Sequence, residues 1–381
     1  MADITVMKIG NHTVDFSKEQ NHNAEEIKDL IKLLASNKQN TIRYYGKIRG
    51  KFDNVPSNVL LYDIVKPEFG NGPGSTTEIY ELPILDNVFL INSSINFFGG
   101  KDDPYTLKTF DLVARAKNIT FYFVDSLLGF HTDLDISKRD WKDKYTDLTL
   151  HVPEQTIKAI THYYDFDAAL KKIQKTKRDK KTVPYFTKDS IHHFPMYKWH
   201  YLLMPEKTIK DDLKFDLTFG GNPRHKLRLN AIDKYLLSCK NVSVDLFGSC
   251  TPEHFNKTAA DISPNVKFNG TITFNELIEN YSSSVATVLL ADLDSDKMFT
   301  GRIGHSPLAG VPLLVEESCD PKHMLFGDMN VYFNTVEELE KLTQGLKNDL
   351  KYRRELVEKQ RQCVKYTWQE LREFFENIIL K

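Results

Sequence analysis

Residues 215–230, FDLTFGGNPRHKLRLN, decide the fold, because they join an apolar strand to a helix through two glycines. The strand ends at Gly220 and Gly221, and the following helix carries Arg224 and Arg228 four residues apart, on one helical face. Such a strand, glycine turn and helix are typical of a βαβ unit in a parallel sheet. Free amides at the helix start together with two guanidiniums also form a site for a diphosphate. A glycine turn with two surface arginines is an equal alternative for this motif taken alone.

The same pattern recurs along the chain. Short β-branched and aromatic runs that end in polar or glycine residues predict strands, and amphipathic segments between them predict helices. The second half contains the strands VSVDLFGS (242–249), VATVLLADLD (285–294) and VPLLVEES (311–318), with the helices RHKLRLNAIDKYLLS (224–238) and FNELIENYSSS (274–284). The first half contains the strands DITVMKIG (3–10), NVFLINSSI (87–95) and ITFYFVDSLLGF (119–130), with the helix AEEIKDLIKLLAS (24–36). We therefore predict an α/β protein with two doubly wound sheets.

Chain length and one polar stretch predict the domain organisation. At 381 residues the chain suits two domains of roughly 150 to 200 residues each. The polar, irregular segment 201–215 marks a linker. We predict a first domain over residues 1–200 together with 366–381, and a second domain over 207–365. Residues 36–80 are interpreted as an elaborated insertion in the first domain.

The last segment is predicted to be a charged, amphipathic helix. In WQELREFF (368–375), four apolar residues fall on one face: Trp368, Leu371, Phe374 and Phe375. This face has to be covered, and we expect it to dock on the first domain.

Composition excludes several classes of protein. Hydrophobic residues make up 41% of the chain, yet no apolar run approaches the roughly 20 residues of a membrane span. The pattern of the first residues predicts a strand and a turn, and we expect no signal core there. The four cysteines have no CxxC spacing, so we expect no zinc site and no disulfide framework. We expect a soluble protein of a reducing cytoplasm. The net charge of −1 hides a basic run at 171–181, which suits either a solvated surface or a phosphate-binding patch.

The loops after the strands of the second half are the candidates for ligand binding, because open α/β sheets bind ligands at the carboxyl ends of their strands. Gly221 and Asn222 follow one strand, and the segment FTGRIGHSPLAG (299–310) follows another and carries Arg302 and His305. A third strand ends in Phe247, Gly248 and Ser249, where a small residue lets a flat ligand approach the backbone. Arg224, Arg228 and Arg302 would converge on one anion. Because no GxxxxGK[ST] motif occurs, this predicts a nucleotide diphosphate site without a P-loop.

Residues 91–100, INSSINFFGG, place two aromatics and two glycines at the end of a predicted strand. With the motifs quoted below, this segment resembles the DNA β-glucosyltransferases of T-even phages. The shared motifs run in that family's order from GNHTVDF (10–16) through INSSINFFGGK (91–101), FGG with its two arginines, LFG (246–248), VPLLVEESCDPKH (311–323) and VYFNTVEEL (331–339) to WQELREFF. The resemblance covers most of the chain and is weak at 36–80 and 131–190.

The resemblance implies the GT-B architecture, two Rossmann-like doubly wound domains facing a central cleft, with the C-terminal helix crossing back. It also implies an inverting transfer of glucose from UDP-glucose to the hydroxymethyl group of 5-hydroxymethylcytosine in duplex DNA, with the target base flipped out. The expected partners are this DNA and the UDP-sugar, with no membrane, for a monomer in the cytoplasm of the infected host cell. No obligatory cofactor and no metal site are expected, and Mg²⁺ or Mn²⁺ is at most a stimulant.

The resemblance also assigns residues. Asp125 falls at the family's catalytic aspartate and would act as general base, although a helix N-cap is the alternative. Glu25 resembles an acidic residue near the sugar, and Glu26 aligns as well. Asn96, Phe97, Phe98 and Gly99 resemble the acceptor-side loop, which contacts DNA. A polar segment after the strand that carries Asp125 adds two further candidates for contact with DNA, Arg139 and Trp141.

Two positions depart from the family's pattern and leave the substrate open. His305 stands where the family has a glutamate that bonds the ribose, and Tyr197, in FPMYKW, stands where the family has a glutamate near the sugar or a cation. UDP-arabinose as donor and hydroxymethyluracil as acceptor base therefore remain alternatives. Two other classes are an inactive DNA-binding relative and a transferase for a small acceptor.

Overall fold

The computed structural model describes residues 2–8, 13–15, 22–49, 55–66, 85–92, 112, 116–123, 156–162, 164, 167, 188–195, 197–198, 205–221, 226–292 and 299–381. The chain divides into two compact units. The first consists of Met1–Phe194 and Trp368–Lys381, and the second of Pro195–Thr367. Each is built on a parallel sheet, which confirms the predicted α/β fold class.

The first unit contains a sheet of eight strands among the described residues. They are β1 (Ala2–Lys8), β2 (Thr13–Asp15), β3 (Asn40–Arg49), β4 (Val59–Asp63), β5 (Leu85–Asn92), β6 (Ala116–Phe123), β7 (Thr156–Thr161) and β8 (Ile191–His193). The order is β2-β3-β1-β5-β6-β7-β8, and β4 also pairs with β3. All pairs are parallel. β1 lies between β3 on one side and β5 on the other. The strand order therefore reverses between β1 and β5.

The interpretation of residues 36–80 as an insertion is wrong, because β3 and β4 lie there and belong to the sheet. β3 has the sequence NTIRYYGKIR, whose arginine and lysine residues resemble a surface loop. Both faces of β3 are nevertheless covered, because the neighbouring residues Tyr44 and Tyr45, whose side chains point to opposite faces, are each 1% exposed. Tyr45 stacks on Tyr62 of β4 with ring centroids 4.6 Å apart. Aromatic pairs of this kind stabilise neighbouring strands.

Two helices of the first unit are described, α1 (His22–Ala35) and α7 (Trp368–Leu380), the last helix of the chain. α7 packs on this unit as predicted, and the ring of Phe375 lies edge-on to Phe89 of β5 and Tyr122 of β6 at 5.5 Å. The predicted apolar face is wrong for Trp368, which is 44% exposed. The buried stripe begins one turn later and has the spacing i, i+4, i+7 and i+8, with Leu371, Phe375, Ile378 and Ile379.

The second unit contains a sheet of six strands among the described residues. They are β9 (Phe215–Gly220), β10 (Val244–Phe247), β11 (Val266–Phe268), β12 (Ser284–Leu289), β13 (Leu313–Glu316) and β14 (Tyr332–Phe333). The order is β11-β10-β9-β12-β13-β14, that of a Rossmann fold. Every residue of β10, β12 and β13 is buried, as expected for inner strands covered on both faces. The strand order reverses between β9 and β12.

Five helices of the second unit are described: α2 (Lys226–Ala231), α3 (Phe274–Ser282), α4 (Arg302–Leu308), α5 (Val336–Asn348) and α6 (Leu350–Val364). The single helix predicted after β9 is α2 followed by a π-helical turn over Ile232–Leu236. α3 and α5 begin with capping boxes, Thr273 with Glu276 and Thr335 with Glu338. No helix in the described part of the chain has the length and apolar character needed to cross a membrane.

Candidate functional site

The candidate site of the second unit lies at the carboxyl ends of β9 and β12, where the strand order reverses and open α/β sheets bind their ligands. The amide of Gly221, just after β9, donates to the carbonyl of Phe247 at 2.9 Å. A Cβ added to Gly221 would lie 2.9 Å from the guanidinium of Arg302. Glycine therefore allows this guanidinium to lie directly against the backbone at the end of β9.

Arg302 is the first residue of α4. Its Nη2 donates a hydrogen bond to the carbonyl oxygen of Gly220, and its guanidinium lies over the ring of Phe219 at 4.6 Å from the centroid. The ring face is electron-rich and attracts a cation, so both contacts stabilise this position. The strand end thus places the Arg302 guanidinium where a ligand at the switch point would meet it.

Arg228 of α2 forms an ion pair with Asp292, which follows β12. The side chains are only 14% and 18% exposed, so water screens the pair poorly. Burial and the charge of Arg302 lower the pKa of Arg228 to about 10, although Asp292 opposes this shift. Two guanidiniums therefore stand close together with one carboxylate, an arrangement that attracts an anion.

The other predicted donor residues have different surroundings. Phe247 is 6% exposed and its ring packs edge-on to Phe215, so its carbonyl and not its ring faces the Gly221 turn. The amide of Gly248 donates to the carbonyl of Gly270 at 2.8 Å, and Ser249 is exposed.

His305 lies one turn after Arg302 on α4. It is half-buried, and its ring meets the ring of Phe274 edge-on with centroids 4.9 Å apart. Phe274 is itself 46% exposed. The two residues thus form an aromatic edge beside the arginine-bearing helix, and Phe274 was not predicted from the sequence.

Tyr197 is 8% exposed and its ring centroid lies 6.2 Å from that of Phe299. Burial raises the pKa of its phenol to about 12, so the group stays protonated at neutral pH. A Cβ on Gly304 would lie 2.5 Å from the carbonyl oxygen of Tyr197, which shows how closely α4 approaches this segment. Tyr197 therefore contributes packing and a neutral hydroxyl, whereas a glutamate at this position would contribute a negative charge.

The predicted acceptor side begins from neighbouring strand ends of the first unit. Asn92 ends β5 and Phe123 ends β6, and these two residues are register partners. All residues predicted for this side and some predicted for the donor lie outside the described residues: Asn96, Phe97, Phe98, Gly99, Asp125, Arg139, Trp141, Asn222 and Arg224. Glu25 lies on α1, where the backbone but not its side chain is described.

Asp292 is the functional candidate that the sequence prediction missed. It stands at the end of the predicted strand VATVLLADLD, and its position after a buried strand was the available signal. No group of three or more histidine, cysteine or carboxylate side chains among the described residues could hold a metal ion.

Residues 51–190 match the family described as Bacteriophage T4 beta-glucosyltransferase. This range includes residues 131–190, where the resemblance judged from short motifs is weak. A family pattern combines many weakly similar positions, whereas the quoted motifs depend on short identical runs. The DNA beta-glucosyltransferase of Enterobacteria phage T4 is 25% identical to this chain over 325 residues, which are 80% of this chain and 88% of that protein.

Solved structures give the same likeness. A T4 phage beta-glucosyltransferase mutant in complex with UDP-glucose has a TM-score of 0.68, and the T4 enzyme in complex with UDP and Mn²⁺ has 0.66, each at 20% identity and 99% coverage of both chains. An alpha-glucosyltransferase in complex with UDP-glucose and DNA containing an abasic site has 0.57 at 12% identity and the same coverage. The predicted resemblance is confirmed, and the fold is that of the GT-B glycosyltransferases.

Proposed function

We propose that this chain, a homologue of the DNA beta-glucosyltransferase of phage T4, is a UDP-sugar-dependent glycosyltransferase that moves glucose from UDP-glucose to DNA. The observation that carries the proposal is the placement of Arg228 and Arg302 together at the switch point of the second sheet. Guanidiniums at a switch point suit a diphosphate. The uridine and glucose parts of the donor are assigned from the similarity to the T4 enzyme.

In this proposal the second unit binds the UDP-sugar. Arg228 and Arg302, joined by Arg224, bind the diphosphate and neutralise the charge that develops on it as the sugar leaves. Gly221 and Asn222 bring backbone to the phosphates, while Phe247, Gly248 and Ser249 form the neighbouring strand end. His305 bonds the ribose hydroxyls, because an imidazole nitrogen can donate or accept a hydrogen bond. Glu25 and Tyr197 are assigned to the sugar.

The first unit binds the DNA acceptor. We assign the segment that follows β5 in the sequence, with Asn96, Phe97, Phe98 and Gly99, to the duplex near a flipped base, where an aromatic can fill the vacated stack. Arg139 and Trp141 contribute charge and an aromatic surface nearby. The acceptor is the hydroxymethyl group of 5-hydroxymethylcytosine, and the protein acts as a monomer in the cytoplasm of the infected cell.

The proposed transfer is a single displacement. The acceptor oxygen attacks the anomeric carbon while the bond from that carbon to UDP breaks, so the configuration is inverted. Asp125, just after the end of β6, takes the proton of the acceptor hydroxyl. UDP leaves with the bonding electron pair, and the arginines stabilise it.

We assign a divalent cation to the diphosphate of the donor. The described residues contain no three-ligand group for a metal, and Asp292 is already paired with Arg228. Mg²⁺ or Mn²⁺ would therefore be held by the diphosphate oxygens and water, as is usual for such ions. When bound, the cation would add positive charge at the leaving group.

Incubation with UDP-glucose and duplex DNA containing 5-hydroxymethylcytosine tests the proposal. We expect UDP release and, by mass spectrometry of the digested nucleosides, a mass increase of one hexose. Parallel reactions with UDP-arabinose and with DNA containing hydroxymethyluracil identify the donor and the acceptor. Both are open because His305 and Tyr197 stand where the family has glutamates. DNA binding without UDP release from any donor would contradict the proposal and favour an inactive relative.

The variant Asp125→Asn tests the assignment of the base. It keeps the shape of the side chain but cannot accept the proton, so turnover should fall by at least about a hundredfold while UDP affinity is retained. Turnover equal to that of the unaltered protein would remove Asp125 from the mechanism.

A further inference from the structure

α6 carries three buried polar side chains that bond to the main chain of neighbouring segments: Arg353, Gln360 and Arg361. Gln360 accepts from the amide of Leu313 at 2.9 Å and donates to the carbonyl of the same residue at 2.8 Å. It therefore fastens α6 to the start of β13. The two arginines bond to different partners, and this difference carries the inference.

Arg361 joins two segments that are distant in sequence. Its Nε donates to the carbonyl of Pro307 in α4 at 2.8 Å, and its Nη2 donates to the carbonyl of Lys207 at 2.6 Å. The amide of Lys207 in turn donates to the carbonyl of Leu308 at 2.8 Å. Arg361 is 6% exposed, so these charge-assisted bonds are protected from water. One guanidinium thus holds the C-terminal end of α4 against residues 205–210.

The opposite end of α4 carries the donor-site arginine. The helix has seven residues and is roughly 10 Å long, so it moves as one short rigid rod. Arg302 stands at its first position and His305 one turn later. Gly304 meets the backbone of Tyr197 in the middle of the helix. A shift of the Pro307 end would therefore be transmitted to the Arg302 guanidinium and its contacts with Gly220 and Phe219.

We infer that Arg361 is a positioning residue for the donor site: its bonds to Pro307 and Lys207 hold α4 in the orientation in which Arg302 meets the diphosphate. This inference rests on the proposed function, because it takes the second unit to bind UDP. Arg361 itself touches neither the strand ends nor Arg302 through any of its hydrogen bonds or ion pairs, so its effect on UDP is indirect.

Arg353 provides a matched control on the same helix. It is fully buried, its Nη2 donates to the carbonyl of Lys210, and it lies 3.9 Å from Asp211. Among the described residues it has no hydrogen bond to α4. Loss of either arginine removes a buried guanidinium from α6, but only the loss of Arg361 releases α4.

Isothermal titration of UDP into Arg361→Gln and Arg353→Gln tests the inference, at a temperature where circular dichroism shows both variants folded. We expect UDP affinity to fall on the order of tenfold in Arg361→Gln and less than about twofold in Arg353→Gln. Arg361→Lys, which can still donate to one carbonyl, should lie between. In turnover assays Arg361→Gln should raise KM for UDP-glucose and leave KM for DNA unchanged. Equal losses of UDP affinity in the two glutamine variants would overturn the inference.

Hydrogen exchange of the unaltered protein tests the same inference and does not require a variant to fold. If α4 and residues 205–210 are held together, UDP should slow exchange at the amides of Ala309 and Lys207 as well as in the first turn of α4. Slowing confined to that first turn would overturn the inference. If the unaltered protein binds no UDP in the titration, the proposed function fails, whereas UDP binding without the difference between the variants refutes the positioning role alone.

Discussion

At the scale of single residues, the candidate donor site brings two positive groups and one negative group together at a place with little exposure to water. Arg228 pairs with Asp292, and Arg302 bonds the backbone at the end of β9. Burial and the neighbouring guanidinium both disfavour the charged form of Arg228. A bound anion would relieve this repulsion, so ligand binding and the stability of the site are linked.

Asp292→Asn should lower the stability of the free protein and tighten UDP binding. The variant leaves a largely buried guanidinium without its carboxylate, which should cost about 2 to 3 kcal/mol of unfolding free energy. It also removes a negative charge that competes with the diphosphate, so UDP affinity should rise by roughly three- to tenfold. Thermal unfolding and titration calorimetry measure the two effects.

Asp86→Asn is the control for this prediction, because Asp86 pairs with Lys117 in the first unit where both side chains are more than half exposed, at 54% and 58%. Such a pair contributes little, and the change in unfolding free energy should stay below about 1 kcal/mol with no change in UDP affinity. Weaker UDP binding in Asp292→Asn would mean that the carboxylate holds Arg228 in its binding position.

The affinity for UDP should fall as the pH rises through about 10. The pKa of Arg228 in the free protein is about 10, lowered chiefly by burial and then by Arg302. A bound diphosphate favours the charged guanidinium and raises this pKa, so full affinity is present below about pH 10 and binding takes up protons near it. In Asp292→Asn the UDP affinity should begin to fall at a lower pH, since Asp292 raises the pKa of Arg228 in the unaltered protein.

Titration of UDP in buffers of different ionisation enthalpy, from pH 8 upward, measures the proton uptake. Uridine is the control for ionisation of the uracil ring, because it lacks the phosphates. A UDP affinity with the same pH dependence as that of uridine would contradict this prediction, because it would show that Arg228 keeps its charge over this pH range.

Much of the donor site could be predicted from residue types at strand ends. Arg228 and Arg302 were predicted to converge, and both flank the switch point. Asp292 was missed because a carboxylate after a strand is common at protein surfaces, and only the fold brings it to Arg228. Phe247 was predicted from its place beside Gly248, but the sequence could not show that its ring turns inward to Phe215.

At the scale of secondary-structure elements, two helical glycines differ in what surrounds them. Gly304 of α4 would place a Cβ 2.5 Å from the carbonyl oxygen of Tyr197, a backbone atom that cannot easily move. Gly345 of α5 has no atom within 4 Å of an added Cβ. Close packing therefore requires glycine in α4 but not in α5.

Gly304→Ala should destabilise the second unit by about 1 to 3 kcal/mol, because the methyl group has to push α4 away from Tyr197. The same displacement should weaken UDP binding. Gly345→Ala, the matched control, should stabilise α5 by up to about 1 kcal/mol and leave UDP binding unchanged. Denaturant titrations and calorimetry give both quantities, and a neutral Gly304→Ala would show that α4 can shift without cost.

The strands that could be predicted are those whose composition matches burial on both faces, such as β9, β10, β12 and β13. β3 was missed because Arg43 and Lys47 interrupt its apolar residues, and because its buried residues include tyrosines, which are also common in loops. The short strands β2, β11 and β14 have two or three residues each, too few for a periodicity.

At the scale of the whole molecule, the chain has two separate cores, and the last helix completes the first of them. The Phe375 ring packs against Phe89 and Tyr122 and is fully buried. In the proposed function UDP binds the second unit, whereas Phe375 packs in the first, so ligand binding and this packing would act on different units.

Phe375→Ala should destabilise the first unit by about 3 to 5 kcal/mol, as expected for the removal of a buried aromatic ring. Calorimetry should then show an early transition that UDP does not shift and a later one that UDP raises. Trp368→Ala, at an exposed position of the same helix, should change the early transition little. A single transition that UDP raises as a whole would show that the units unfold together.

The place of α7 in the first unit has a consequence for the order of events on the ribosome. Most of the first unit is translated before the second, yet residues 368–381 that complete it leave the ribosome only after the whole second unit. Domains generally fold as they emerge, but here the sheet from β1 to β8 has to wait, with its face for Leu371 and Phe375 uncovered, until residues 368–381 have been translated. During that time the second unit can fold first, which reverses the usual order from the N-terminus, and a nascent chain that stops before residue 368 would leave the apolar face of the first sheet open to chaperones.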